Sequence, residues 1–311
     1  MNSVKLKEFL KDKRESLSAS SVNTYTSVLR GMHKEIFGTS DVDKDNLDRS
    51  KYILDEMKDW PIPRKKTVLS ALVVATNGLP QEAYRKVMME SLEQYRKEIS
   101  GNEMTDKQRE NWVTKEEIEK TLKHKEKEAK AIIKKGSPST KEIQAVQDYL
   151  LLVLTSGVYF PPRRSLDWLA FKIRNIKESD NYLDKDKLVF NKYKTAKSYG
   201  QQVVKVPRKV VNAIKSYVSI LPSDREYLLS DTSGRPLYRE NEASGSVKVN
   251  QRISRMFPGK KVGVNTMRHT NLTEKFGDLV EERKMVDRKI AKELEKMGTS
   301  PAMLDTYVKI K

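Results

Sequence analysis

Apolar residues recur every three or four positions through most of this chain, while runs rich in β-branched and aromatic residues are confined to about 170–206. That distribution limits the fold to a mainly α architecture with one small antiparallel sheet, an α+β class. Residues 1–100 are expected to hold helices only. Val4, Leu6, Phe9 and Leu10 form one apolar face, and the hydroxyls of Ser18 to Ser21 precede Val22, Tyr25, Val28, Leu29 and Met32. Further helices are predicted over Lys51–Met57, 67–76 and Pro80–Ile99, with Asp41–Asp48 an acidic connection. Trp60-Pro61-Ile62-Pro63 interrupts the pattern, because proline lacks a backbone donor.

The chain turns polar at 101–112, with Gly101 and Asn102, and this stretch reads as a linker between a helical domain at 1–100 and a second domain at 113–311. A length of 311 residues also favours two domains over one. Thr114-Lys115-Glu116-Glu117 has the form of a capping box, and Ile143–Leu154 reads as a buried helix. Strands are expected at Leu169–Ile176, Lys187–Phe190 and Gln202–Val206, the last two joined by the lysine-rich stretch Asn191–Gly200. Helices are predicted over Lys209–Ile220, Val247–Phe257, Thr266–Phe276 and Val280–Lys296.

Lys and Arg number 61 against 43 Asp and Glu, a net charge of +18. Residues 1–100 hold 18 basic and 15 acidic residues, and 101–311 hold 43 and 28, so the excess is concentrated in the second part. Such an excess suits a polyanion, since each phosphate neutralised releases condensed counterions, and nucleic acid is the expected partner. There is no cysteine, and His33, His124 and His269 are widely scattered, so no metal and no cofactor are expected. Met1–Leu10 lacks the apolar core of a secretory signal, and no apolar run approaches the ~20 residues of a spanning helix. The expectation is an intracellular protein with no membrane association.

Three distant fragments carry phosphoryl-transfer chemistry. Arg163 and Arg164 follow Pro161-Pro162, which would set Arg164 in the first turn of a helix with Asp167 on the same face. A guanidinium there can grip two phosphate oxygens, although a helix-start ion pair is the plainer account, and spacing alone leaves open which arginine points inward. Lys194, with Thr195, lies between two expected strands and can protonate a departing oxygen, as can Lys197; most such lysines simply stay in water. Arg268 and His269 open an expected helix, where backbone amides and the dipole favour an anion, while His269 reads as a satisfied, half-buried imidazole. Tyr307 can act as a nucleophile only if nearby cations favour its phenolate, and most terminal tyrosines merely anchor a tail.

Taken in order, these fragments resemble the tyrosine recombinase (phage integrase) family, over nearly the whole chain. Arg164-Ser165-Leu166-Asp167-Trp168-Leu169 is similar to the family's first arginine box, which favours Arg164 over Arg163, and Lys194-Thr195 resembles its hairpin lysine. Asn265-Thr266-Met267-Arg268-His269 resembles its second box, and Gly298-Thr299 with Tyr307 its third. Leu17 through Leu29 looks like the core-binding domain, and Trp112–Ile118 like the opening of the catalytic domain. The Pro-Pro-Arg-Arg run and the Asn-x-x-Arg-His variant are like integrase-type proteins of large DNA viruses and their satellites. Asn265 stands where the family has His, and Thr299 where it has His or Trp, one residue closer to the tyrosine than usual. Neither exchanges protons near neutral pH, so more of that burden would fall on Lys194.

The resemblance implies a site-specific recombinase or integrase, with Arg164, Lys194, Arg268 and Tyr307 catalytic and Asp167, Asn265, His269 and Thr299 supporting. Tyr307 would attack a phosphodiester of double-stranded DNA to give a 3′-phosphotyrosyl link, and Lys194 would protonate the 5′-hydroxyl that leaves, without metal or ATP. The implied assembly is a homotetramer on two duplexes, a monomer or dimer without DNA. The rivals are a type IB topoisomerase and a catalytically impaired DNA-binding protein of the same fold.

Overall fold

The computed structural model describes residues 1–101, 103–238 and 244–308, apart from the side chains of Ser100, Asp305 and Tyr307. The chain is mainly helical, 64%, with a three-stranded antiparallel sheet, an α+β fold. It divides into two compact units, the first over Met1–Thr105 and the second from Asp106 on.

The first unit is built from α1 (Ser3–Lys13), α2 (Ala19–Phe37), α3 (Lys44–Leu47), α4 (Ser50–Glu56), α5 (Ile62–Ala75) and α6 (Gly78–Ser100). Ser18 caps α2 by accepting the Ser21 amide at 3.1 Å, and α2 stops at Gly38, whose φ of 77° suits a residue without Cβ. The proline pair begins α5 rather than only preceding it, since proline is tolerated where amides have no helical partner. Asp41–Asp48 contains α3, because the Asp43 carboxylate accepts the Asp45 amide and caps a turn. Leu6, Leu29, Met32, Ile53, Leu72 and Tyr84 form the buried centre. His33 is buried and structural: its Nε2 accepts the Asp43 amide at 3.2 Å, leaving Nδ1 to donate to the Thr39 carbonyl at 2.7 Å.

The second unit runs α7 (Asp106–Glu110), α8 (Lys115–Lys135), α9 (Thr140–Thr155), α10 (Ser165–Leu169), β1 (Tyr182–Asp184), β2 (Lys187–Phe190), α11 (Ala196–Tyr199), β3 (Gln202–Lys205), α12 (Arg208–Ser219), α13 (Ser244–Arg255) and α14 (Val264–Lys296). A 3-10 turn at Pro301–Met303 and α15 (Leu304–Tyr307) follow. The Thr114/Glu117 capping box is present, and Ser139 and Glu142 form a second one on α9. α7 occupies part of the stretch that reads as linker and belongs to this unit.

Two expectations are corrected. Leu169–Ile176 is not a strand: Leu169 ends α10, and only single bridges form, Phe171 with Asn181 and Lys172 with Tyr227. The third strand is β1, so the sheet order is β1-β2-β3, with Leu188 opposite Val204. The two helices expected between Thr266 and Lys296 are one, because a single glycine, Gly277, weakens but does not break a helix.

The core centres on Trp168, whose ring lies 5.4 Å from Phe190, 5.6 Å from Phe171 and 6.0 Å from Phe160. Gln147 on α9 is fully buried, and its Oε1 accepts both the Tyr217 hydroxyl at 2.7 Å and the Ser230 amide at 2.9 Å. Its Nε2 donates to the Ser230 carbonyl at 2.9 Å. Gln147→Leu would leave those groups unpaired in the core, and a loss of at least about 2 kcal/mol is expected in urea unfolding.

Candidate functional site

Pro161 to Arg164 lead into α10 without regular secondary structure, and Arg164 is its N-cap, with φ −70° and ψ 152°. It therefore precedes the first turn instead of lying in it, since a residue before the helix keeps β-region angles. Arg163, not Arg164, makes the helix-start ion pair: its Nε donates to Asp167 Oδ2 at 2.9 Å. Arg163 also donates from Nη1 to Gln202 Oε1 at 2.8 Å and lies 3.9 Å from the Phe190 ring centre. This guanidinium is spent on the fold. Arg164 is half-buried and makes no side-chain hydrogen bond or ion pair among the described residues.

Asp167 is 2% exposed, and its second oxygen, Oδ1, is buried with no hydrogen-bond partner. Burial pushes its carboxyl up, while the charges of Arg163, then Arg164 and Arg268, oppose that shift. Arg268 comes from α14, more than a hundred residues away in sequence. It faces this cluster because Met267 and Thr270 point into the core, with the Thr270 hydroxyl donating to the Val113 carbonyl at 2.8 Å. Gly157 tightens the same joint: its φ is 83°, its carbonyl accepts from Asn271 Nδ2 at 3.2 Å, and an added Cβ would lie 2.5 Å from that nitrogen.

Arg268 lies in the second turn of α14, past the helix's unpaired amides, so the helix end does not explain its position. Its guanidinium pKa is lowered, first by burial and then by the positive charge of Arg164, with Asp167 acting against this. Among the described residues its side-chain hydrogen bond is to Asn265 Oδ1, at 3.4 Å. Arg164 and Arg268 are thus within electrostatic reach of one buried carboxylate that Arg163 already engages, an arrangement suited to an added anion. His269 is exposed rather than half-buried, because the turn that buries Met267 and Thr270 sends it outward.

Lys194 is exposed and unpaired among the described residues, in the loop between β2 and β3 that contains α11. Lys197 is exposed on α11 itself. The loop is fastened to the arginine segment by Asn181, which the sequence does not single out. Asn181 Nδ2 donates to the Asp167 and Lys192 carbonyls at 2.9 and 2.8 Å, and its Oδ1 accepts the Asn191 and Lys192 amides at 2.8 and 2.7 Å. Tyr193, beside Lys194, stacks near Arg163 at 5.2 Å and donates to the Gly200 carbonyl at 2.6 Å. Asn181, Tyr193 and Gln202 carry no sequence signal, since their roles arise only when β1, β2 and β3 meet α10.

Gly298 and Thr299 close α14. With φ of 69°, Gly298 donates its amide to the Glu295 carbonyl at 3.0 Å, and Thr299 donates to Leu294 at 2.9 Å, a Schellman ending. Lys296 follows Arg268 by 28 residues of unbroken helix, or about 42 Å. Within one chain, the segment from Thr299 into α15 is at the far end of α14 from Arg268. The backbone of Tyr307 ends α15; its side chain lies outside the described residues. The structure therefore gathers Arg163, Arg164, Asp167 and Arg268, with Asn265 at their edge, and does not gather Thr299 with them.

Among the described residues, no group of three or more His, Asp or Glu is placed to hold a metal, and no helix is long and apolar enough to cross a membrane. No family model, no curated protein and no solved structure matches this chain.

The two neighbouring arginines separate in a stability measurement. Arg163→Ala strands the buried Asp167 carboxylate and is expected to cost about 3–5 kcal/mol, whereas Arg164→Ala, which breaks no bond, is expected to stay within about 0.5 kcal/mol. Equal losses in urea unfolding would contradict the division of labour.

Proposed function

We propose that this chain binds double-stranded DNA and cleaves and rejoins it as a tyrosine recombinase, with a helical core-binding unit and a catalytic unit. The observation that carries the reading is the convergence of Arg164 and Arg268, from remote segments, on a buried aspartate that is already paired. Two guanidinia without an anion of their own suit the non-bridging oxygens of one phosphodiester, and their charge is worth most as the transition state gains negative charge. The basic excess of residues 101–311 suits the DNA backbone around it. Lys194, on a loop tied to the Asp167 backbone through Asn181, is the general acid for the 5′-hydroxyl.

Tyr307 attacks phosphorus, forming a Tyr307 Oη–P bond as the bond to the 5′-oxygen breaks, and a second 5′-hydroxyl reverses the step. Because α14 holds the Tyr307 segment at its far end from Arg268, the attacking hydroxyl comes from a second copy in the DNA assembly, a homotetramer on two duplexes. The same separation favours a second reading, a DNA-binding protein that does not cleave.

A duplex nicked near the cleavage point tests both. The wild type is expected to form a covalent protein–DNA adduct, and Tyr307→Phe and Arg268→Ala alone are expected to form almost none. Their mixture is expected to regain it, with DNA on the Arg268→Ala copy. No adduct from the wild type leaves the binding-only reading, and supercoil relaxation by a monomer would favour the topoisomerase. Arg268→Ala is further expected to lower cleavage by about 10²–10³-fold while changing DNA affinity far less.

A further inference from the structure

Beyond Asn271, α14 carries a row of apolar side chains along one side, Leu272, Phe276, Leu279, Val286 and Ile290, which Met297 continues from the C-cap position. Leu272 and Leu279 on the helix are 52% and 60% exposed, and Met297 at its C-cap 67%, large values for apolar side chains. Arg283 and Glu293 complete the row, so its steps alternate four and three residues from 272 to 297. An average step of 3.5 residues is the repeat that keeps one stripe facing a partner helix along a left-handed supercoil.

We propose that α14 pairs antiparallel with α14 of a second copy of this chain. The two charged positions select the occupant and its direction. A parallel pair would set Arg283 against Arg283 and Glu293 against Glu293, with Glu282 beside Asp287 on the flank. An antiparallel pair centred on residue 288 sets Arg283 against the partner's Glu293, Val286 against the partner's Ile290 and Leu279 against the partner's Met297, each contact occurring twice. Sliding this pair to put Leu272 against Met297 would press Arg283 on Val286 and Glu293 on Phe276, which strands both charges on hydrocarbon. The row is thus complementary to itself in one register. In that register Glu282 also falls beside the partner's Lys289 and Lys296. Among the described residues, the ion-pair partners of Arg283 and Glu293 are exposed ones, Asp287 at 4.0 Å and Lys296 at 2.7 Å, which water and salt readily release.

Six side-chain layers over about 28 Å of helix make an interface below the standard ~1,200–2,000 Å² class, so a reversible dimer is expected. The seam is read from α14 alone and does not rest on the proposed chemistry. It would set Met297 of one copy beside the partner's Leu279, eleven residues and about 16 Å of helix from the partner's Arg268.

Sedimentation equilibrium of the full chain without DNA tests the pairing, so its outcome is separate from that of the cleavage assay. The wild type is expected to show a monomer–dimer equilibrium. Arg283→Glu and Glu293→Arg are each expected to weaken it at least tenfold, and the double variant Arg283→Glu/Glu293→Arg to restore it, all with wild-type circular dichroism. The chain has no cysteine, so disulfides report the direction directly. A mixture of Leu279→Cys and Met297→Cys copies is expected to cross-link under mild oxidation, and Leu279→Cys alone is not. A strictly monomeric wild type at hundreds of micromolar, failure of the double reversal to restore pairing, or self-cross-linking of Leu279→Cys would overturn the proposal.

Discussion

The architecture of the second unit depends on one buried carboxylate. Asp167 draws Arg163 into the core, where the guanidinium also reaches Gln202 and stacks on Phe190, and so joins α10 to the sheet. Removing the charge of either partner would leave the other unpaired in a poorly solvated place. The arrangement also limits what the neighbouring cations can do. With Oδ2 of Asp167 engaged by Arg163, Arg164 and Arg268 stand near a negative charge already paired elsewhere, and burial first, then the charge of Arg164, lowers the Arg268 pKa. An anion placed between the two guanidinia would offset the repulsion between them.

Around this carboxylate the scaffold is polar and specific. Asn181 uses its full amide to bind the α10 backbone to the strand loop that carries Lys194, with four hydrogen bonds from one buried side chain. Gly157 and Asn271 fix the start of α14 against the turn after α9. Both joints use groups that cannot be exchanged for apolar ones of similar volume without leaving buried partners unmet. Arg164 and Arg268 are therefore held by elements whose relative placement is set by hydrogen bonds as much as by packing.

α14 acts as a spacer as well as a wall of the core. Its first two turns are anchored by Val264, Met267 and Thr270, and its last by Leu294, while the stretch between faces solvent with an apolar row. A helix this long, exposed over much of its length, gains little from the core of its own chain, since most helical stability in proteins comes from burying one face. The exposed row is the surface that the proposed pairing with a second copy would bury.

Local patterns in the sequence determined much of the secondary structure: the Ser18 and Thr114 caps, the helical first unit, β2 and β3, and the candidacy of Arg164 and Arg268 all follow from neighbours within a few residues. They follow because capping, periodicity and proline geometry act over one or two turns. The same reasoning misplaced β1, split α14 at Gly277 and put His269 half inside, since a short apolar run does not say which neighbour it pairs with and a helix's rotation is set by what it packs on. Only the tertiary structure chose Arg163 for the core and left Arg164 free. That choice depends on Gln202 and Phe190, contributed by strands more than twenty residues away, and on the low polarity around Asp167, which exists only once the sheet has closed over it.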